Sequence, residues 1–171
     1  MIMLFQIFSF AAIALYLFRW QVGIRKRNVQ SWESLLARLR QDGNVRELNE
    51  QYLWKEGLTV TPEDAWQRMD GPKGLWVMYK NAQVMQEMAD YAYRNSKDVD
   101  RLLIETLHSD AIQIRLCVLM ALVQYGFTQA SEGVRVNAFR TAALYSGMAA
   151  RMTRLLQENY ATILPDFVSA M

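Results

Sequence analysis

Hydrophobic and polar positions are distributed unevenly along the chain. Residues 1–18, MIMLFQIFSFAAIALYLF, carry no charge, and only Gln6, Ser9 and the hydroxyl of Tyr16 interrupt the apolar run. As a helix they reach about 27 Å, close to a ~30 Å hydrocarbon core. Continuation to about Ile24 completes a span, with Arg19 snorkelling and Tyr16 and Trp20 at the interface. Nothing basic precedes the span, whereas Arg19, Arg25, Lys26 and Arg27 follow it. The positive-inside rule then puts the N-terminus outside and the bulk of the chain in the cytoplasm. A cleaved signal peptide lacks support, because there is neither a basic n-region nor a small-residue cleavage site. An interfacial helix would need a polar face, and a core helix with Phe, Ile and Leu all round its circumference would be unusual.

Beyond residue 30 the pattern changes to helical periods with clear punctuation. The first 24 residues read as a transmembrane anchor. Residues 25–60 read as a basic juxtamembrane segment with two short helices, one from Ser31 to about Gln41 and one over 44–55. Residues 61–171 read as a helical bundle. Thr61-Pro62-Glu63-Asp64 is a helix start, with a hydroxyl cap, a first-turn proline and acids at the positive end. That helix ends at Asp70-Gly71. Over 73–95, Leu75, Met78, Ala82, Met85, Ala89 and Ala92 alternate spacings of three and four in one apolar seam. Val77, Val84, Met88 and Tyr91 broaden it to bundle width.

Asp98 is expected to cap a helix ending near His108, and Asp110 to cap another over 111–125. Leu116 to Val123 is apolar all round, too short to cross a bilayer, and reads as a central core helix. The last long helix is expected from about Glu132 to Asn159. The fold class is therefore all-α, an N-terminal single transmembrane helix followed by a compact multi-helix bundle. The only short alternating run, Leu58 to Thr61, stops at Pro62.

Composition sharpens this division. The chain has 171 residues, 52% hydrophobic and 21% charged, with net charge +2. Four of the 19 basic residues lie within 1–30, which holds no acid, so the remainder has 15 basic against 17 acidic side chains. Nucleic-acid binding thus loses its electrostatic support. A single cysteine excludes a disulfide scaffold.

Candidate chemistry is sparse. Glu105-x-x-His108, with Glu87-x-x-Asp90 on the preceding helix, has the spacing that di-iron bundles use. The chain's one histidine precludes the second motif. His108 reads instead as an imidazole at a helix end, and no metal or other cofactor is expected. Cys117 beside Leu116 and Val118 reads as a small core hydrophobe. Met85, Met88, Met148 and Met152 read as core filler rather than copper ligands. Gly71-Pro72-Lys73-Gly74 lacks the P-loop spacing and reads as an interhelix turn. Adjacent His108-Ser109-Asp110 cannot form a triad.

Ala138, Ala142, Ser146 and Ala150 recur every four residues with Ala143 and Gly147 beside them, a face that lets another helix approach closely. Arg135, Arg140, Arg151 and Arg154 lie within 133–157, a stretch without an acid, and are expected to face water or pair with acids from 42–110. Ile114-Arg115 with Ala121-Leu122 and Gly126 is similar to the second helix of a HEAT-type repeat, as is Val134-Arg135 with Ala143-Leu144 and Gly147. Their 20-residue separation is half the ~40-residue period, and no family is assigned.

The functional expectation is a non-enzymatic, membrane-anchored interaction or scaffold protein, a small accessory subunit or assembly factor. Its partners would be the bilayer through residues 1–24 and a protein, or a second copy, through the last long helix. One alternative is an enzyme or cofactor module with a pocket lined by Trp66, Trp76, Tyr79 and Tyr91. A second is a peripheral lipid-binding domain using the Arg135–Arg154 face.

Overall fold

The computed structural model describes residues 31–39, 61–96 and 99–170. The expected anchor, with Tyr16, Arg19, Trp20 and the Arg25-Lys26-Arg27 cluster, lies outside the described residues, as does the expected helix over 44–55. By contact the chain divides between Ser31 and Trp32, and the helices below belong to the unit Trp32–Met171. Among the described residues there are six helices and no strand: α1 (Trp32–Leu36), α2 (Pro62–Arg68), α3 (Pro72–Asn95), α4 (Arg101–Thr128), α5 (Glu132–Asn159) and α6 (Leu164–Ala170).

The helix α2 begins as its sequence dictates. The Thr61 hydroxyl accepts from the Asp64 amide, and Asp64 returns a bond to the Thr61 amide, a complete capping box with Pro62 in the first turn. The Thr61 hydroxyl and amide also hold the Asp64 carboxyl below its usual range. At the corner into α3, Asp70 and Gly71 both have positive φ, 58° and 57°. A side chain at Gly71 would meet the Trp66 ring at 3.0 Å, and one at Gly74 would sit 2.0 Å from the Met69 carbonyl oxygen. The expected turn geometry thus rests on close approach at these glycines.

The six seam residues of α3 are all fully buried. Cross-helix pairs give the bundle its topology. Tyr79 meets Arg115 and Asp90 meets His108, so α3 and α4 run antiparallel. Asp110 meets Arg151 and Gln124 meets Asn137, so α4 and α5 do too. Asn81 donates to the Tyr145 hydroxyl at 3.0 Å, and the Tyr160 hydroxyl donates to the Ala92 carbonyl at 3.2 Å. Hence α3 and α5 are parallel, and the three long helices form an up-down-up bundle. α2 packs on α5, while α1 and α6 pack at the other end. There Trp32 contacts Tyr91 and Tyr160, with ring centroids 5.0 and 4.8 Å apart. Phe167 anchors α6, a helix the pattern had not indicated.

Two expectations are corrected by α4. It is one 28-residue helix capped by Asp100, not two helices divided at residues 108–110. It is also not a central core helix. One side, from Ile104 to Ala121, is buried, but Leu116, Leu119, Met120 and Val123 are exposed. The three-helix bundle has room for only one side of α4. The fused helix is long and apolar enough to cross a membrane, with 22% of its most apolar stretch buried.

Candidate functional site

The residues with metal-ligand spacing separate into different pairings. Glu87 is buried on α3, where Arg38 clasps it through Nη1–Oε2 at 2.5 Å and Nη2–Oε1 at 3.1 Å and Gln83 adds a bond at 3.2 Å. The hydrogen bond to Glu87, reinforced by its charge, holds the Arg38 guanidinium above its ordinary value despite burial. The Asp90 Oδ1 atom lies 2.8 Å from His108 Nε2 across the α3–α4 contact. Glu105 faces outward and pairs with Arg101 at 2.8 Å. Among the described residues, no three His, Cys, Asp or Glu side chains converge on a point that would hold a metal ion.

His108 is not at a helix end, since α4 continues for twenty residues past it. Ser109 is exposed, and Asp110 serves an ion pair to Arg151 at 2.7 Å rather than a cap. His108 therefore faces α3 and Asp110 faces α5, on different sides of one helix. Cys117 is a half-buried free thiol. Nine residues along the same helix put it about 13 Å from His108 in rise, too far for a dyad. Met85, Met88, Met148 and Met152 are all fully buried.

The small residues of α5 point in two directions. Ala138, Ala142 and Ser146 are buried, so this part of the ridge faces inward. Ala150 and Gly147 are half-buried and Ala143 is exposed. Arg135 pairs with Glu63 and Arg151 with Asp110, both acids from 42–110 as expected, whereas Arg154 pairs with Glu158 on its own helix. Arg140 is exposed.

The four aromatic candidates are likewise dispersed. Trp66 is buried against Tyr125, and Tyr91 lies against Trp32 at the opposite end. Trp76 and Tyr79 stack on each other with centroids 5.2 Å apart, beside α4. Lys80 lies over Trp76 and Arg115 over Tyr79, each 5.0 Å from the ring centroid. Arg115 also donates to the Tyr79 hydroxyl at 3.2 Å. A depression at the end of α3, lined among the described residues by Tyr93, Arg94, Asn95 and Ser96, offers no convergent pair. There Arg94 and Asn95 bond to carbonyls of their own helix.

The feature that stands out is the outer face of α4. Ile112, Leu116, Leu119, Met120, Val123 and Phe127 are all exposed, from 42% at Leu119 to 86% at Phe127. At 100° per residue they share a sector about 100° wide, the width of a packing face. The helix thus carries two apolar stripes, one facing α3 and α5 and one facing out. Arg101, Glu105 and Ser109 occupy the same outer side in the first turns, so it changes from polar to apolar along its length. Full burial of such side chains gains ~1.5–3 kcal/mol each, and removal from water is the chemistry this surface can perform. The sequence carried the signal, spacings of three and four from 112 to 127, but it emerges only when 101–128 is one helix. No family model matches the chain, and neither a curated protein nor a solved structure matches it.

Proposed function

We propose that this chain acts by binding rather than catalysis, as a membrane-anchored helical accessory subunit or assembly factor. The observation that carries the reading is the outer stripe of α4, an uncharged apolar surface that soluble monomers seldom leave uncovered. The apolar segment 1–24 and the basic residues after it support an anchor with the bulk of the chain inside. For a protein partner, the accessible part of the α5 face is Ala143 with Gly147 and Arg140. Ala138, Ala142 and Ser146 are engaged within the bundle. The arginine-face lipid reading loses support, because Arg135, Arg151 and Arg154 each have an acid partner.

The test is extraction of the full chain from native membranes in mild detergent, followed by mass spectrometry. A stoichiometric partner that is lost on Ala143→Leu is the expected result. A lone monomer overturns the partner role, and extraction by alkaline carbonate alone overturns the anchor.

A further inference from the structure

We propose that the outer face of α4 from Ile112 to Phe127 lies against a phospholipid bilayer, its apolar side chains among the acyl chains and its cationic flanks among anionic headgroups. This rests on the membrane reading above and names what covers the stripe. A bilayer fits better than a second copy because the stripe has no hydrogen-bonding side chain, whereas protein interfaces carry roughly one hydrogen bond per 100–200 Å². Acyl chains ask for none.

Charge supports the same occupant. No Asp or Glu occurs in residues 111–128, nor in 71–86 and 133–157, the parts of α3 and α5 that pair with them. The flanks are instead cationic. Lys80 and Arg115 sit on the α3 side over Trp76 and Tyr79, an aromatic and basic cluster suited to the headgroup level. On the α5 side Asn137 bonds to Gln124, and Arg140 is exposed one turn further on. Asp90, Glu105 and Asp110 lie toward the other end of α4, while at the apolar end Glu63 is paired with Arg135 and Glu132 is exposed at the start of α5. The helix therefore lies along the surface and does not cross it. Its inner side is committed to α3 and α5, and its first turns carry Arg101, Glu105, His108 against Asp90, and Asp110 ion-paired to Arg151.

The test places the photoreactive amino acid benzoylphenylalanine at Met120, Phe127 or, as the outward-facing control, Glu105. The full chain is illuminated in its native membranes and in phosphatidylcholine vesicles containing some phosphatidylglycerol. Phospholipid adducts at Met120 and Phe127 on the order of tenfold above those at Glu105 are expected of a face that enters the acyl region. Met120→Asp with Val123→Asp is expected to bring the Phe127 adducts down to the Glu105 level without changing the melting temperature. Crosslinks to a second copy, crosslinks to another protein, or equal labelling at all three sites each overturn the proposal. Flotation of the chain with the vesicles separates the two readings. A chain that floats but shows no lipid adducts loses only this inference, and one that does not float loses the membrane reading as well.

Discussion

The helices α3 and α4 are similar in length and lie side by side, yet they spend their apolar residues differently. In α3, Leu75, Met78, Ala82, Met85, Ala89 and Ala92 form one seam, and all are fully buried. In α4 an equivalent seam, Ile104, Leu107, Ala111, Ile114, Val118 and Ala121, is also buried, but a second stripe points outward. The first helix is explained by the fold that contains it. The second has an apolar surplus that stabilises nothing within the described structure, and it is this surplus that the proposed bilayer contact would cover.

The sharpest way to break this contrast is to make the same change in both helices. Met85→Ala in α3 should cost ~2–5 kcal/mol, because it empties a filled core position. Met120→Ala in α4, at an exposed site, should shift stability by less than ~0.5 kcal/mol. Denaturant midpoints of the full chain in detergent decide between them, and equal losses would dissolve the distinction. Next in size is Arg38→Ala, which leaves Glu87 buried with a weaker set of partners and should cost about 1–2 kcal/mol. Its midpoint should fall, while Arg101→Ala at the exposed pair with Glu105 should leave it nearly unmoved.

A third test removes the surplus itself. Leu116→Gln, Met120→Gln and Val123→Gln together should leave the midpoint within about 0.5 kcal/mol per site and reduce binding of an apolar dye by the detergent-free protein. A collapse of the fold would mean that the stripe is structural after all. The smallest effect concerns pH. Burial, with Tyr91 nearby, holds the Tyr160 hydroxyl above its ordinary value of 10.0. A raised folded value favours the protonated form, so its contribution is complete below about pH 10 and disappears as pH rises through the folded value. Alkaline titration of stability should show that loss, and Tyr160→Phe should remove it.

What was legible in the sequence was whatever depends on a residue and its neighbours along one helix. The α3 seam, the Thr61 hydroxyl cap and the bounds of α5 are of this kind. His108-Ser109-Asp110 misled because three polar residues in a row resemble a helix boundary. Their partners, Asp90 and Arg151, lie 18 and 41 residues away on other helices, where no local pattern shows them. The acid-free run of α5 did announce long-range pairing, which Glu63 and Asp110 supply. The α5 ridge was visible as a pattern, but the direction it faces follows from how three helices share one core. The helix α6 went unread because it is short and held chiefly through Phe167.

Trp32, wedged between Tyr91 and Tyr160, brings the beginning of the helical unit beside its final helices. The first and last described helices therefore share one pole of the bundle, as in domains that accept circular permutation. A short linker joining residue 170 to residue 31, with new ends opened between α4 and α5 at Gln129–Ala130, would preserve every long helix. The order in which the helices are strung is thus a separate matter from the bundle they make.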